Sequence, residues 1–235
     1  KKKIMAKNEY REVPWGVFSY KHKKYIHDSV DSRINVAEGA VRAGKTIDDC
    51  IIFKIALEES PDKIHLASGS TLANAKLNIG ECNGYGLAHL FKDWGKFLDN
   101  EALFINIKGE EKVVIFVGGG KADSYKKILG NSYGIWIATE INEHYDCDES
   151  KESFIKVAMA RQLASIKPKI IWDLNPSNPL ATIYTDYIDK WQKDGVIGGY
   201  NYQHFTIYDN ANITEERKKE IISQYDPTSI WYQRD

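Results

Sequence analysis

The sequence predicts an α/β domain in which helices flank a mainly parallel β-sheet. Short apolar segments alternate with segments of helical periodicity along most of the chain, which is typical of a parallel sheet covered by helices. A glycine-rich loop, residues 39–46, follows one apolar segment and precedes a helical one. At 235 residues the chain is long enough for one large α/β domain, or for such a core with a small lid.

The glycine-rich loop is a complete phosphate-binding loop (P-loop) with an arginine inside it. Its residues are Gly39, Ala40, Val41, Arg42, Ala43, Gly44, Lys45 and Thr46, in the pattern G-x-x-x-x-G-K-[ST]. In such loops backbone N–H groups surround a polyphosphate, the lysine contacts the β- and γ-phosphates, and the hydroxyl binds Mg²⁺. A strand at residues 34–37 and a helix at residues 47–59 supply the required context, and the helix N-terminus adds positive potential. We therefore expect a nucleoside triphosphate and Mg²⁺ to bind here.

The remaining elements follow from the same patterns. We expect strands at 63–68, 135–138, 169–174 and 202–207, a hairpin of 103–107 with 113–117, and helices at 71–78, 87–94, 124–129, 149–163, 183–193 and 214–225. Asp226 and Pro227 are expected to end the last helix. No internal repeat is visible.

Composition excludes several classes of protein without naming a function. Lys and Arg total 32 against 33 for Asp and Glu, so no global basic field indicates nucleic acid, although local basic patches are compatible with this balance. The three cysteines, Cys50, Cys82 and Cys147, form no C-x-x-C pair, which argues against a disulfide framework or a zinc site and fits a reducing cytosol. No apolar run approaches the roughly 20 residues needed to span a bilayer.

The strand at residues 135–138 is followed by Thr139 and Glu140. The Glu140 carboxylate is placed to polarise a water for in-line attack on a γ-phosphate, although a glutamate that simply meets solvent at a strand end is the simpler alternative. In P-loop ATPases of the additional-strand type this strand ends in an aspartate that steadies Mg²⁺, followed by a glutamate that activates water. Thr139 occupies the aspartate position, where its hydroxyl could hold a Mg²⁺-bound water but carries no charge.

Nearby acidic residues are possible substitutes for the missing carboxylate. They are Glu143, Asp146 and Asp148, for which a solvated acidic loop is the simpler role. Asn175, after the strand at 169–174, could hydrogen-bond a γ-phosphate or the attacking water and so report the nucleotide state, although a turn explains it equally well. His22 lies in an aromatic segment before the first strand, and such a segment either frames an adenine or packs on the core.

Together these features resemble the large terminase subunit of tailed double-stranded DNA bacteriophages, the ATP-driven DNA-packaging motor. The resemblance covers nearly the whole chain, in the order 18–22, the P-loop, 118–124 leading to Gly130, the strand ending in Glu140, 161–163, 174–176 and 204–210. It implies the P-loop NTPase fold of the additional-strand type.

The resemblance also implies a role for each matched residue. Lys45 and Thr46 would hold phosphate and Mg²⁺, and Arg42 would act in cis on the γ-phosphate or link the loop to the lid. Glu140 would be the catalytic carboxylate, and Asn175 would belong to the motif that couples hydrolysis to DNA movement.

Two positions depart from the family pattern. His22 stands where the adenine motif usually carries glutamine, which weakens its assignment as an adenine contact. Leu129 stands where many relatives carry an arginine that serves the neighbouring subunit's ATP. A trans-acting charge would have to come from elsewhere, and the candidates are Lys126, Lys127 and Arg161.

The function implied by the resemblance is ATP hydrolysis that powers translocation of viral double-stranded DNA into the procapsid. The implied partners are double-stranded DNA, the portal protein, the small terminase subunit and further copies in a ring on the procapsid, with no membrane. The implied location is the host cytoplasm during virion assembly, and not the mature virion.

The implied organisation is an ATPase core at residues 1–178, including an adenine-side segment at 1–33, and a lid or linker at 179–235. The chain would end where a nuclease domain follows in the family, so we expect no nuclease activity from it and a monomer when it is alone. Two alternatives stay open: a nucleotide-gated docking module without efficient hydrolysis, and a helicase- or recombinase-like DNA-dependent ATPase.

Overall fold

Seven β-strands form one sheet in the computed structural model, which describes residues 15–91 and 101–224. The strands are β1 (Ile34–Gly39), β2 (Ile64–Gly69), β3 (Ala102–Ile107), β4 (Glu110–Gly118), β5 (Ile135–Ala138), β6 (Lys169–Leu174) and β7 (Tyr200–Phe205). Their order is β3-β4-β2-β5-β6-β1-β7, and within the described ranges every neighbouring pair is parallel except β3 with β4. The predicted α/β class with a mainly parallel sheet is confirmed.

Helices cover both faces of this sheet. The α-helices are α1 (Tyr20–Asp28), α2 (Lys45–Glu59), α3 (Leu72–Ala75), α4 (Leu87–Leu90), α5 (Phe154–Ala160), α6 (Asp189–Asp194) and α7 (Glu215–Ser223). Two π-helical segments, Lys76–Glu81 and Ile183–Ile188, continue α3 and precede α6. Short 3₁₀ helices lie at Trp15–Val17, Cys82–Gly84, Ser124–Ile128, Ile141–Glu143 and Ile207–Asp209.

The core consists of two apolar layers, one on each face of the sheet. Because successive side chains of a strand point to opposite faces, Ile137 and Ile171 pack with α2 while Trp136 and Trp172 pack in the other layer. The two tryptophan rings meet edge to face, with centroids 5.3 Å apart. Burial of the central strands on both faces explains why β5 is apolar throughout and why β6 is apolar except at Lys169 and Asp173.

Strand β6 lies between β1, which leads into the P-loop, and β5, which ends before Glu140. This inserted strand defines the additional-strand type of P-loop fold, so that prediction is confirmed as well. The carboxyl ends of β1, β6 and β5 meet at one edge of the sheet, where ligands of open α/β sheets bind.

Several predicted elements differ in length from the observed ones. The helix expected at residues 149–163 is only α5, which begins at Phe154 because Ser153 caps it by accepting a hydrogen bond from the Lys156 amide at 3.1 Å. The hairpin turn is the two-residue Lys108-Gly109, whose positive φ angles of 52° and 94° fit the tight turn of a β-hairpin. Residues 92–94, and residues 225–227 at the end of the last predicted helix, lie outside the described residues.

The segment after residue 178 is continuous with the core. Strand β7 pairs in parallel with β1 along its whole length, and Ile183, Tyr187 and Ile188 are buried in the layer that contains Trp172. A boundary after residue 178 therefore does not separate a second sheet from the first one. The expectation of a lid in residues 179–235 stays a prediction. Within the described residues no helix is long and apolar enough to cross a membrane.

Candidate nucleotide-binding site

The P-loop connects β1 to α2 and is fixed to β7 by its backbone. The Ala40 amide donates to the Phe205 carbonyl at 2.9 Å. Gly39 has φ +143°, and a Cβ there would lie 1.8 Å from the same Phe205 oxygen, so only glycine fits. Gly44 has φ +101° directly before α2, which again favours glycine. The two motif glycines thus meet backbone demands as well as leaving room for phosphate.

Lys45 is folded back onto its own loop. Its Nζ donates to the carbonyls of Gly39 and Ala40, both at 2.7 Å, and to Oδ1 of Asn175 at 3.2 Å. The lysine is only 6 % exposed. Because carbonyl and amide oxygens are weaker partners for an ammonium than a phosphate, a bound polyphosphate would compete for this lysine. The structure therefore brings together the two residues that the sequence assigned to phosphate binding and to coupling.

A carboxylate that the sequence reasoning passed over lies beside Thr46. Oδ2 of Asp173, on β6, accepts a hydrogen bond from the Thr46 hydroxyl at 2.7 Å. Oδ1 accepts from the Thr139 hydroxyl at 3.2 Å and from the Glu140 amide at 2.8 Å. Asp173 is 3 % exposed, and three donors compensate for the burial of its charge. The residues predicted to bind metal and to catalyse thus converge on one buried aspartate.

Glu140 is held in an unusual backbone conformation at the end of β5. Its φ and ψ are 52° and 53°, in the left-handed region, which is uncommon for a residue with a side chain. Partial burial raises the pKa of its carboxyl above the ordinary value, and the nearby Asp173 and Glu143 charges add to this effect while Lys45 opposes it. A carboxylate with a raised pKa is a stronger base, as activation of a water requires.

A chain of hydrogen bonds supports this backbone from behind. The Trp136 Nε1–H donates to the Ser68 hydroxyl at 2.8 Å, and His144 Nε2 lies 2.9 Å from the same hydroxyl. His144 Nδ1 lies 3.3 Å from the Glu140 carbonyl oxygen. Burial lowers the pKa of His144 to about 4, so the ring is neutral, and these partners fit a ring that accepts at Nε2 and donates at Nδ1.

The oxygens at this edge fit a Mg²⁺–nucleotide. Mg²⁺ takes oxygen ligands and is usually bound by one or two carboxylates together with substrate phosphates and waters, and not by an all-protein cage. The Thr46 hydroxyl and the Asp173 carboxylate place such oxygens side by side. No group of three or more His, Cys, Asp or Glu side chains that could hold a metal ion occurs in the part of the chain that the structure describes. A nucleotide would therefore have to complete the coordination.

A cavity of about 350 Å³ opens beside the P-loop, on the side of α1. Its volume is that of a small-molecule site. Most of its lining side chains are apolar, aromatic or amide, which suit a nucleobase, and the His22–Asp48 pair completes the wall. The lining residues are Val17, Phe18, His22, Ala43, Gly44, Ile47, Asp48, Asn83, Tyr85, Asn210, Ala211 and Asn212. Val17, Phe18 and His22, from the segment expected on the adenine side, line this cavity, and the adenine-side location itself stays a prediction.

His22 lies at the wall of this cavity but is largely committed to other contacts. Its Nδ1 pairs with the Asp48 carboxylate, and its ring stacks on Phe205 with centroids 4.4 Å apart. Burial raises the pKa of Asp48 to about 6, and His22 opposes that rise. The next residue, Asp49, accepts from the Tyr25 hydroxyl at 3.0 Å, and burial raises its pKa well above the usual range. His22 therefore shapes the cavity wall chiefly by packing.

The positively charged side chains that the sequence suggested for catalysis lie outside the cluster of residues around Asp173. The Arg42 side chain is exposed and has no hydrogen-bond or ion-pair partner among the described residues, whereas its carbonyl accepts from Asn210 Nδ2 at 2.6 Å. Arg42 thus connects the loop to the segment after β7 through its backbone. Lys126 and Lys127 are exposed, and Arg161 follows α5, where its carbonyl accepts from the Tyr133 amide just before β5. Arg161 is therefore at the edge of the sheet opposite the P-loop.

Comparison with known proteins identifies the fold. No protein-family model and no curated protein sequence matches the chain. The large terminase from a thermophilic bacteriophage superposes with a TM-score of 0.78 at 22 % sequence identity, over 92 % of this chain and 52 % of that one. Structures of that terminase in complex with ADP and with ATP-gamma-S give TM-scores of 0.76 and 0.75 at 23 % and 22 % identity, over 92 % of this chain and 52 % and 51 % of theirs. This chain thus spans about half the length of the thermophilic phage protein, and it has the fold of a bacteriophage large terminase.

Proposed function

We propose that this chain is the ATPase domain of a phage large terminase and hydrolyses ATP to drive double-stranded DNA into a procapsid. One observation carries the proposal: Lys45, Thr46, Asp173, Glu140 and Asn175 converge at the carboxyl edge of the sheet. A P-loop alone binds nucleotide, whereas turnover also requires a group that positions and activates water and groups that stabilise the charge developing on the phosphate oxygens. The likeness of fold to a terminase solved with ADP and with ATP-gamma-S supports the choice of nucleotide.

In the proposed reaction, the P-loop amides and Lys45 hold the β- and γ-phosphates. Glu140 orients a water in line with the γ-phosphorus and accepts its proton. The water oxygen bonds to phosphorus while the bond to the β,γ-bridging oxygen breaks, giving ADP and phosphate. Thr46 and Asp173 would hold Mg²⁺, which when bound offsets the charge that develops on the phosphate oxygens.

A second network connects the P-loop strand to the segment after β6. Glu38, the residue before Gly39, accepts from the hydroxyls of Tyr184, at 2.6 Å, and of Tyr202. The Tyr184 hydroxyl in turn accepts from the Ser177 amide at 3.2 Å. Burial raises the pKa of Tyr184 to about 12, so this hydroxyl stays protonated and keeps its role as a donor. The network joins β1 to the loop that carries Asn175, and we propose that it helps to transmit the nucleotide state.

The partners we propose are double-stranded DNA, the portal protein, the small terminase subunit and further copies of the chain in a ring, in the host cytoplasm during assembly. These are the partners that the resemblance to large terminases implies. In such a ring the change between triphosphate and diphosphate states would alter contacts to the DNA backbone. Those contacts are electrostatic and independent of sequence, so they are expected to weaken as salt rises.

Release of phosphate by the purified chain tests the proposal. We expect Mg²⁺-dependent turnover of ATP that Lys45→Ala abolishes, while Lys193→Ala, which changes an exposed lysine of α6, leaves it intact. Robust turnover by Lys45→Ala would contradict the site. Nucleotide binding without any turnover would favour a nucleotide-gated docking module, and strand separation or strand exchange would favour a helicase or recombinase.

A further inference from the structure

The site lacks a carboxylate at the position where its fold type carries one. Thr139 directly follows β5, and its hydroxyl has no charge with which to offset a divalent cation. Cations of this kind bind beside a P-loop threonine when a neighbouring acidic side chain holds the ion or its waters. We therefore expect a carboxylate from another part of the chain to support a bound Mg²⁺.

The neighbouring strand β6 supplies one at the same level. Asp173 pairs in register with Ala37 of β1, two residues before Gly39. Its two carboxylate oxygens divide their contacts between the two sides of the site. Oδ2 faces Thr46 of the P-loop at 2.7 Å, and Oδ1 faces Thr139 and the Glu140 amide.

Apart from Glu140, which is assigned to water activation, the other acidic residues of this region are exposed or paired with other groups. Glu143 and Asp148 are exposed. Asp146 accepts from the Ser153 hydroxyl and from the Tyr187 hydroxyl, the latter at 3.3 Å. Asp48 pairs with His22, and Asp49 with Tyr25. Asp173 is thus the acidic side chain that contacts Thr46 among the residues described.

We propose that Asp173 replaces the missing strand-end carboxylate and steadies the Mg²⁺ of the bound nucleotide, with Thr139 as its hydrogen-bond donor. In this chain the carboxylate that would hold the metal is therefore on the inserted strand β6, and not at the end of β5. The same side chain fixes the Glu140 backbone through the Glu140 amide, so metal binding and placement of the general base depend on one residue. This assignment rests on the proposed function, because it presupposes a Mg²⁺–nucleotide at the P-loop.

Nucleotide affinity measured with and without the metal tests the assignment. Binding of ATP-gamma-S is titrated calorimetrically in Mg²⁺ and in EDTA. Mg²⁺ is expected to raise the affinity of the unaltered chain above the value in EDTA, and we call this increase the Mg²⁺ gain. We expect Asp173→Asn to keep the affinity seen in EDTA and to reduce the Mg²⁺ gain by about ten- to a hundredfold, as for residues that support a metal. Paramagnetic resonance of Mn²⁺ added with ADP should show the same loss of bound ion.

Two further variants make the test specific. Glu143→Gln removes an exposed carboxylate near Glu140 and should leave the Mg²⁺ gain unchanged. A double variant, Asp173→Thr with Thr139→Asp, returns the carboxylate to β5 and should restore most of the gain. This double variant also decides the matter if Asp173→Asn melts below the assay temperature.

The assignment is overturned if Asp173→Asn keeps the full Mg²⁺ gain or loses affinity equally in EDTA. It is also overturned if Glu143→Gln loses as much as Asp173→Asn, or if the double variant gains nothing from Mg²⁺. A chain that binds no nucleotide in either condition would contradict the proposed function itself, and is thereby distinguished from a failure of this assignment alone.

Discussion

Lys45 and Asn175 are 130 residues apart in the sequence, yet the lysine Nζ donates to the amide oxygen of Asn175 at 3.2 Å. The lysine belongs to the P-loop, and the asparagine follows the inserted strand β6. A γ-phosphate that takes over the lysine would release Asn175 and could then accept a hydrogen bond from its amide nitrogen. We therefore expect this contact to help the chain distinguish a triphosphate from a diphosphate.

Asn175→Ala should therefore reduce discrimination between nucleotides. We expect the affinity for ADP to stay the same or to rise, because a competitor for Lys45 is removed. The affinity for ATP-gamma-S should fall about fivefold, the value of one net hydrogen bond of about 1 kcal/mol. Calorimetric titration of both nucleotides measures the ratio. Asn178→Ala, at an exposed position of the same loop, is the matched control, and equal losses for both nucleotides would argue against a sensing role.

Glu140→Gln should separate binding from chemistry. The amide cannot accept the proton of the attacking water, so we expect hydrolysis to fall by about 10²- to 10⁴-fold, the usual contribution of a general base. Affinity for ATP-gamma-S should change little, since glutamine has nearly the shape of glutamate and the proposed phosphate contacts belong to the P-loop amides and Lys45. Phosphate release and calorimetry together check this expectation. A matching loss of affinity would indicate a role in holding metal.

His144 should act as a positioning residue for Glu140. Two substitutions of His144 separate its two hydrogen bonds. In His144→Asn the side-chain amide can occupy the place of Nδ1 and keep the bond to the Glu140 carbonyl. In His144→Gln the amide reaches the place of Nε2 and keeps only the bond to Ser68. We expect His144→Gln to lower kcat about tenfold with KM nearly unchanged, a loss of about 1.4 kcal/mol in the transition state. His144→Asn should lose much less. Equal kcat values for the two variants would contradict the assignment.

Two substitutions should separate the role of the Arg42 backbone, which Asn210 contacts, from the role of the Arg42 side chain. Asn210→Ala removes the donor to the Arg42 carbonyl, and we expect ADP affinity to fall about fivefold, by about 1 kcal/mol. Arg42→Ala keeps that carbonyl, so ADP affinity should persist while hydrolysis falls if the guanidinium acts on the γ-phosphate. Calorimetry with ADP and phosphate release with ATP distinguish the two. Unchanged ADP affinity in Asn210→Ala would show that this link does not hold the loop.

Acid should destabilise the fold through its buried histidines. Burial lowers the pKa of His65 to about 4, and this ring accepts from the Ile135 amide at 3.1 Å. Between its unfolded pKa of about 6.5 and its folded pKa, the unfolded chain binds more protons, so stability falls as the pH drops through this window. At pH 5 the expected loss is on the order of 2 kcal/mol for such a histidine.

Urea unfolding at pH 7 and at pH 5 measures this loss. His65→Asn lacks the titrating ring and should reduce the difference in unfolding free energy between the two pH values, even if it is less stable at pH 7. His27→Asn, at an exposed helix position, is the matched control and should leave the difference unchanged. A difference that is the same in both variants would show that His65 does not carry the effect.

The elements that the sequence predicted well are those with strong local signals. The P-loop is specified by its own spacing, and the central strands are specified by apolar runs that only burial on both faces explains. Element ends were less well predicted. The helix expected at 149–163 is only α5 in the structure. It begins at Phe154 because the Ser153 side chain caps it, and the pattern of apolar residues alone does not show where such a cap forms. Strand β7 joined the main sheet because β1 offered a free edge for pairing, which periodicity along one segment cannot reveal.

By itself, the sequence determined that this chain has a P-loop between a buried strand and a helix, and that Glu140 ends a second buried strand. Only the tertiary structure decided where the missing negative charge resides. Asp173 lies near the end of the strand predicted at residues 169–174, and nothing in its neighbours along the chain marks it as a partner of Thr46. Its role depends on β6 lying between β1 and β5, because parallel pairing brings side chains that are more than a hundred residues apart to one edge of the sheet.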